Sequence, residues 1–219
     1  MVPSNILTRV FLIEVGGELG TAFTIEVKET QYLITAKHVL SGLKGTTGVN
    51  IARKSNWESV SISNVWYAPD SIDLAVLFIT KPISPTFPVT VSSIPFLSQD
   101  SYFLGFPFGM QVHSFEANNG YPIPFVRKGI IAGFFDMNLP TMNYILDATN
   151  NPGFSGGPVF TVSSDNVPEL FAVVKGYEAE LSPVKNGNKD TSLHVETNTG
   201  LVRCTSLHTA IEMLNALKK

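Results

Sequence analysis

The segment that most restricts how this chain can fold is the glycine-rich run Asn-Pro-Gly-Phe-Ser-Gly-Gly-Pro at residues 151–158. Ser155 is its one nucleophilic side chain, and small residues surround it. Glycine permits a tight, positive-φ backbone that points successive N–H groups into one hollow, and an attacking serine needs such donors for the oxyanion that develops. We therefore predict Ser155 as a nucleophile, with the N–H groups of Gly153 and Ser155 as oxyanion donors. Taken alone, such a cluster is typical of an ordinary turn.

Two further segments precede this run in an informative order. His38 ends a β-rich apolar run that starts at Tyr32, and Asp73 stands directly before the apolar segment Leu74–Ile79. The order histidine, aspartate, serine is that of the chymotrypsin triad, whereas subtilisin and the α/β-hydrolases use other orders. In such a triad His38 is the general base and Asp73 orients its ring.

The chain offers other histidines and another aspartate for these roles. The remaining histidines, which lack a flanking motif, are His113, His194 and His208. Asp70 is the alternative carboxylate, but it follows Pro69 in a segment typical of a turn. The strand that follows Asp73 would hold that residue rigidly, which favours it over Asp70.

The motifs together resemble the trypsin-like serine proteases of the chymotrypsin fold. The most similar branch is the bacterial, disulfide-free one that includes the high-temperature-requirement proteases. The matching segments, in chain order, are Gly20–Ile25, Thr35–Val39, Asp73–Leu77, Gly105–Gly109 and Asp147–Pro158. The resemblance implies a cleft between two barrels and no activation by proteolytic cleavage.

The resemblance also implies where the substrate would bind. The pocket and cleft residues it indicates are Thr149, Asn150, Phe154, Val174, Lys175 and Gly176. Thr149 would lie at the floor of the pocket and carries no charge, so we expect an uncharged, apolar or small residue before the scissile bond. Lys175 would favour acidic groups if it faces the cleft, or is simply an exposed strand lysine. The Phe154 ring would shape the leaving-group side or fill surface.

The spacing of apolar runs and turn residues predicts an all-β chain. Six strands are predicted in the first half: Val10–Val15, Thr21–Val27, Gln31–Thr35, Val49–Arg53, Val60–Trp66 and Leu74–Ile79. Six more follow in the second half: Ser101–Gly105, Phe125–Gly133, Tyr144–Ala148, Pro158–Val162, Leu170–Tyr177 and Thr199–Cys204. We expect two six-stranded antiparallel β-barrels, residues 1–90 with His38 and Asp73 and residues 91–219 with Ser155.

Three segments link or follow these strands. The proline-rich stretch 81–98 is predicted to be a linker. Residues 181–200 lack a clear pattern and are predicted to be a polar surface loop, with a lid as the less favoured interpretation. Helical spacing of Ile211, Leu214 and Leu217 predicts a C-terminal α-helix, which Ser206 can cap.

Composition limits the class of protein. Hydrophobic residues make up 44% and charged residues 15%, which is typical of a globular chain. A net charge of −3 does not favour nucleic acid or an anionic membrane, and we expect neither as a partner. Cys204 is the only cysteine, so no internal disulfide forms; we expect a cytoplasmic location and a buried, unreactive thiol. No metal-binding or cofactor motif is evident, and we expect no cofactor.

These observations predict a serine endopeptidase that cuts polypeptides through an acyl-enzyme with His38, Asp73 and Ser155. The alternative is a catalytically silent or conditionally active protease fold that binds peptides or partners. An esterase using the same residues is a third reading. A regulatory protein partner or an oligomer is compatible with the sequence, which identifies neither.

Overall fold

The chain folds into two packed β-barrels and a short C-terminal helix. The computed structural model describes residues 2–43, 48–86, 90–91, 94–112, 115–136 and 141–217. A one-turn helix α1 (Ser4–Leu7) precedes the first strand, and α2 (His208–Ala216) follows the last. No helix among the described residues has the length and apolar character needed to cross a bilayer.

Six antiparallel strands close the first barrel in the spatial order β1-β2-β3-β6-β5-β4. They are β1 (Val10–Val15), β2 (Glu18–Val27), β3 (Thr30–Thr35), β4 (Gly48–Arg53), β5 (Asn56–Tyr67) and β6 (Ala75–Ile79). The pairing of β1 with β4 through Ile13 and Ile51 completes the ring. The prediction of a six-stranded first barrel is confirmed.

The second half forms a sheet in the order β11-β8-β9-β10-β13-β12-β7, in which β11 also pairs with β12. Its strands are β7 (Thr90–Val91), β8 (Asp100–Gly105), β9 (Phe125–Phe135), β10 (Asn143–Asp147), β11 (Pro158–Val162), β12 (Pro168–Asn186) and β13 (Lys189–Ser206). The β11–β12 pairing closes six antiparallel strands into the predicted second barrel. The short β7, parallel to β12 at Glu169 and Leu170, lies within the predicted linker and is an addition to the prediction.

The loop predicted over residues 181–200 is instead a long β-hairpin. Strands β12 and β13 stay paired as far as Asn186 and Lys189, and Gly187 at φ +62° takes the first position of the two-residue turn. Type II′ turns need glycine there. Both faces of the hairpin tip meet water, with Leu181 and Leu193 more than 60% exposed, so the sequence lacks the one-sided apolar alternation that marks a strand.

One apolar cluster joins the two barrels and the C-terminal helix. Leu12, Ile34 and Val76 of the first barrel pack in it with Leu104 of the second and with Leu214 of α2. The predicted helix is confirmed over His208–Ala216, and Ser206 Oγ accepts a hydrogen bond from the His208 N–H. Leu217 is half-exposed at the helix end rather than buried, while Lys218, Lys219 and His113 lie outside the described residues.

Candidate active site

Strand pairing in the first barrel brings His38 close to Asp73. Strand β3 ends at Thr35, which pairs with Ala75 at the start of β6, so the two residues leave neighbouring strand ends. Val39 and Leu40 are buried and anchor the 3-10 turn Lys37–Leu40. The His38 side chain is left 51% exposed on that turn.

The Asp73 carboxylate holds His38 at two points. Its Oδ2 lies 2.6 Å from His38 Nδ1, and its Oδ1 accepts a hydrogen bond of 3.0 Å from the His38 backbone N–H. The rival Asp70 is fully exposed and contacts Lys37 Nζ at 3.8 Å instead. The geometry therefore favours Asp73 over Asp70 as the residue that orients the imidazole.

The surroundings of Asp73 stabilise its ionised form. Burial opposes ionisation and works to raise the pKa, but the hydrogen bonds and charge of His38 and the more distant charge of Lys175 outweigh burial. The pKa of Asp73 is consequently lower than that of a free aspartate. At neutral pH the group is a carboxylate that can accept a hydrogen bond from His38 Nδ1–H, which would leave His38 Nε2 with the free lone pair that a base needs.

Protonation of Asp73 should be visible in the pH dependence of stability. Because folding lowers its pKa, the carboxylate stabilises the fold above the unfolded-state pKa of about 3.9, and this contribution is lost as pH falls through the lower folded-state pKa. We expect the unfolding free energies of wild type and Asp73→Asn, measured in urea, to converge as the pH falls from about 6 to about 2. A difference that stays constant over this range would contradict the stabilising contact between the Asp73 carboxylate and His38.

Ser155 lies at the contact between the two barrels. Its carbonyl accepts a hydrogen bond of 2.9 Å from the Thr21 N–H of β2, and the next residue, Gly156, donates to Val174 O at 2.8 Å. A Cβ atom on Gly156 would stand 3.0 Å from Ala36 N, two residues before His38. The loop that carries Ser155 therefore packs directly against the segment that carries the histidine.

The Ser155 hydroxyl does not contact His38 in this structure. Ser155 Oγ donates a hydrogen bond of 3.1 Å to the carbonyl of Lys175 on β12. Within the described part of the chain, no hydrogen bond joins Ser155 to His38. Proton transfer to the imidazole would therefore require the hydroxyl to give up its bond to Lys175 O.

Two backbone N–H groups beside Ser155 are free to receive an anion. Among the described residues, the N–H groups of Gly153 and Ser155 have no hydrogen-bond acceptor. Gly153 has φ +102°, and a Cβ there would stand 2.2 Å from Phe106 O, so only glycine fits. The carbonyls on the same peptides are both held, Pro152 O by Phe108 N–H at 2.7 Å and Phe154 O by Gly157 N–H at 2.9 Å.

The six predicted pocket residues differ in what they expose. Thr149 is exposed, and Lys175 and Gly176 are half-exposed, with open space beside the Gly176 Cα. Asn150 is 1% exposed; its Oδ1 accepts the Asn151 N–H, and its carbonyl accepts the Asn198 amide. Val174 is also buried, so its contribution to a cleft is limited to its backbone.

Phe154 is a correction to the sequence analysis. Its ring is fully buried and packs edge-to-face on Phe103 in the core of the second barrel, with 5.2 Å between ring centroids. The ring therefore anchors residues 151–157, the loop that carries Ser155 and is called the nucleophile loop below, to the second barrel. The ring cannot line the leaving-group side or fill surface, which were the two predictions from the sequence. An aromatic residue in this short loop is buried because its neighbours on β8 and β12 form an apolar pocket beneath it.

Sequence reasoning missed two supports of this loop. Thr21 and the turn Phe106–Gly109 both hold it by hydrogen bonds, and Phe108 adopts φ +53°, a backbone conformation that is uncommon for a bulky residue. Both lie in segments that resemble the protease family, Gly20–Ile25 and Gly105–Gly109, and that resemblance is the signal that could have found them. A group of three or more histidine, cysteine, aspartate or glutamate side chains suited to a metal does not occur among the described residues.

Comparison with known proteins shows which family this chain resembles. A family model for a trypsin-like peptidase domain matches residues 20–167, more than half of the chain. In sequence, no curated protein matches significantly.

Solved structures share the fold at low identity. The active form of the Rv3671c protease from M. tuberculosis aligns with a TM-score of 0.63 at 16% identity, over 97% of this chain and 82% of that one. The inactive form of the same protease aligns with a TM-score of 0.60 at 16% identity, over 97% of this chain and 90% of that one. The HtrA-type protease AlgW with a tripeptide gives 0.63 at 20% identity, over 98% of this chain and 61% of that one. The fold is chymotrypsin-like, and the chain belongs to the trypsin-like peptidase family.

Proposed function

We propose that the chain is a serine endopeptidase with His38, Asp73 and Ser155 as its catalytic residues. The observation that carries the proposal is the Asp73–His38 contact of 2.6 Å, because Ala36, two residues before His38, packs against Gly156 in the loop that carries Ser155. The free N–H groups of Gly153 and Ser155 add the oxyanion site that acyl transfer needs. Together these groups match the four roles of base, orienting group, nucleophile and oxyanion donors.

The reaction would proceed in two halves. Ser155 Oγ attacks the scissile carbonyl carbon as its proton passes to His38 Nε2, and the carbonyl oxygen becomes an oxyanion bound by the Gly153 and Ser155 N–H groups. The C–N bond breaks when His38 returns the proton to the leaving amine, which gives an acyl-enzyme. Water then attacks the ester with His38 as base, which releases the new carboxylate and restores the serine.

The proposed substrate is a polypeptide with an uncharged residue before the scissile bond. Thr149, the predicted floor, is exposed and uncharged, and the wall at Gly176 has no side chain to obstruct a ligand. Lys175 lies beside the proposed site, because its carbonyl accepts the hydrogen bond of Ser155 Oγ at 3.1 Å. An acidic residue near the scissile bond is the competing preference.

A library of peptides blocked at both ends tests this function. We expect internal cleavage, read by mass spectrometry as new termini, with uncharged residues enriched before the cut. The Ser155→Ala protein, purified in the same way, controls for contaminating proteases. Hydrolysis of activated esters without any peptide cleavage would support an esterase instead.

One observation favours a conditionally active protease as the second candidate. Because Ser155 Oγ is bound to Lys175 O, the structure shows the nucleophile without its base. A chain fixed in that state would bind peptides without cutting them. Peptides that bind the folded protein yet remain intact would identify this function, and renewed cleavage after addition of a partner or peptide would identify conditional activity.

We also propose that residues 1–90 and 91–219 are the two halves of one catalytic unit. The closed first barrel ends at Ile79, and β7 (Thr90–Val91) already belongs to the second sheet, which supports a boundary between Ile79 and Thr90, just before the predicted one. The site requires both halves, because His38 and Asp73 lie in the first and Ser155 in the second.

A further inference from the structure

Thr21 is the residue through which the first barrel holds the nucleophile loop. It lies on β2, is fully buried, and belongs to none of the catalytic roles assigned above. Its N–H donates to Ser155 O at 2.9 Å, and its hydroxyl donates to Gly153 O at 2.6 Å. Thr21 therefore binds the carbonyls of both residues whose N–H groups form the proposed oxyanion site.

The Thr21 hydroxyl also links the loop to its second support. It accepts a hydrogen bond of 3.2 Å from the Phe106 N–H, at the start of the turn that holds Pro152 O through Phe108. A hydroxyl can donate and accept at once, so one atom fixes two backbone segments. A methyl group in its place would leave the buried Phe106 N–H and the part-buried Gly153 carbonyl without this partner, which is costly.

These bonds determine where the oxyanion donors point. The peptide between Gly153 and Phe154 lies between the two donors, and the Thr21 hydroxyl holds its carbonyl. The flanking carbonyls are held by Phe108 and Gly157. Rotation of the peptide between Gly153 and Phe154 would point the Gly153 and Ser155 N–H groups in different directions. Such donors help catalysis only when both are aimed at the position where negative charge develops.

The same residue connects the donors to the base. Thr35 Oγ1 donates a hydrogen bond to Thr21 O at 2.8 Å, and Thr35 also pairs with Ala22 across the two strands. Thr35 stands three residues before His38 in the chain. The oxyanion loop and the histidine turn are thus set from one point on β2. An error in position of about 1 Å at such a site is enough to reduce a rate by about 100-fold.

We propose that Thr21 is a positioning residue, whose hydroxyl aligns the oxyanion donors with the catalytic base. This inference rests on the proposed endopeptidase function. Thr21 touches no reacting atom and acts through Gly153, Ser155 and Phe106. Its contribution should therefore be made in the transition state rather than in substrate binding.

Thr21→Val tests the proposal because it removes the hydroxyl and keeps the side-chain shape. We expect kcat to fall about 10- to 100-fold, less than the 100- to 1000-fold loss typical of removing a donor, with KM within about twofold. A peptide aldehyde, whose adduct with Ser155 places an oxyanion in the hole, should lose affinity by the same factor as kcat/KM. Thr21→Ser should restore both.

Thr24→Val is the matched control. Thr24 is buried on the same strand, and its hydroxyl bonds Ser84 Oγ at 2.6 Å, away from the nucleophile loop. It should lose stability comparably and keep kcat and aldehyde affinity. If the added methyl of Thr21→Val prevents folding, Thr21→Ala gives the same test, because it removes the hydroxyl and adds no atom.

The possible outcomes distinguish a failure of the Thr21 proposal from a failure of the proposed endopeptidase function. A Thr21 variant that loses stability like Thr24→Val but keeps kcat and aldehyde affinity would overturn the positioning role while leaving the protease intact. The proposal would also be overturned if Thr21→Val raised KM and the Kd of an uncleaved peptide by the same factor while kcat stayed unchanged. A folded wild type that cuts no peptide would instead refute the endopeptidase function.

Discussion

Ser155→Ala is expected to lower kcat for peptide cleavage by about 10⁵- to 10⁶-fold, an effect that only the loss of His38 should equal. Alanine has no oxygen to form the acyl-enzyme, so the remaining rate would come from binding and the oxyanion donors alone. The measurement is the steady-state hydrolysis of a peptide that the wild type cuts.

The fold should survive this substitution. The bonds that hold the loop, from Thr21 N–H to Ser155 O and from Gly156 N–H to Val174 O, involve the backbone, and only the half-exposed contact of Ser155 Oγ with Lys175 O is lost. We expect Tm within about 2 °C of wild type. Ser164→Ala, in the exposed turn after β11, should retain full activity. Peptide hydrolysis by Ser155→Ala at a rate near that of wild type would refute its assignment as nucleophile.

Asp73→Asn is expected to lower kcat by about 10⁴-fold. The asparagine amide can donate to His38 Nδ1, which would favour the tautomer with the proton on Nε2 and so deprive Ser155 of its base. The carboxylate also stabilises the imidazolium that forms during attack, and this charge pairing is lost as well. Steady-state kinetics at neutral pH on the same peptide give the measurement.

Asp70→Asn provides the control, because it makes the same chemical change three residues away. Asp70 is exposed and lies 3.8 Å from Lys37 rather than beside His38, so its loss should change kcat by less than about twofold. Equal losses in the two variants would show that charge near the site, and not the Asp73–His38 contact, sets the rate.

The positions of most strands, and of His38 and Asp73 at the ends of two of them, could be predicted from local sequence. Turn residues such as Gly16 and Gly17 mark the end of β1, and the apolar segments on either side alternate or run continuously as strands do. Asp73 precedes a strand that pairs with the one before His38, and this long-range pairing brings the two side chains together. The local pattern locates each residue at a strand end, and the resemblance to a catalytic triad is what predicted that they meet.

The remaining features depend on contacts between distant residues. The Thr21 hydroxyl and Gly153 O are 132 residues apart in sequence, and no local pattern connects them. Burial of Phe154 depends on Phe103 of another strand, and the hairpin beyond Gly176 has no buried face to reveal its period. The rotation of Ser155 Oγ toward Lys175 O is a side-chain choice that sequence does not encode in any motif.

Labelling with a fluorophosphonate tests the central claim most directly, because the reagent reacts with a serine only when base and oxyanion donors are assembled around it. Intact mass and peptide mapping should show one adduct on wild type, at Ser155, and none on Ser155→Ala or His38→Ala. Absence of any adduct on folded wild type, or equal labelling of His38→Ala, would contradict an assembled His38, Asp73 and Ser155 site.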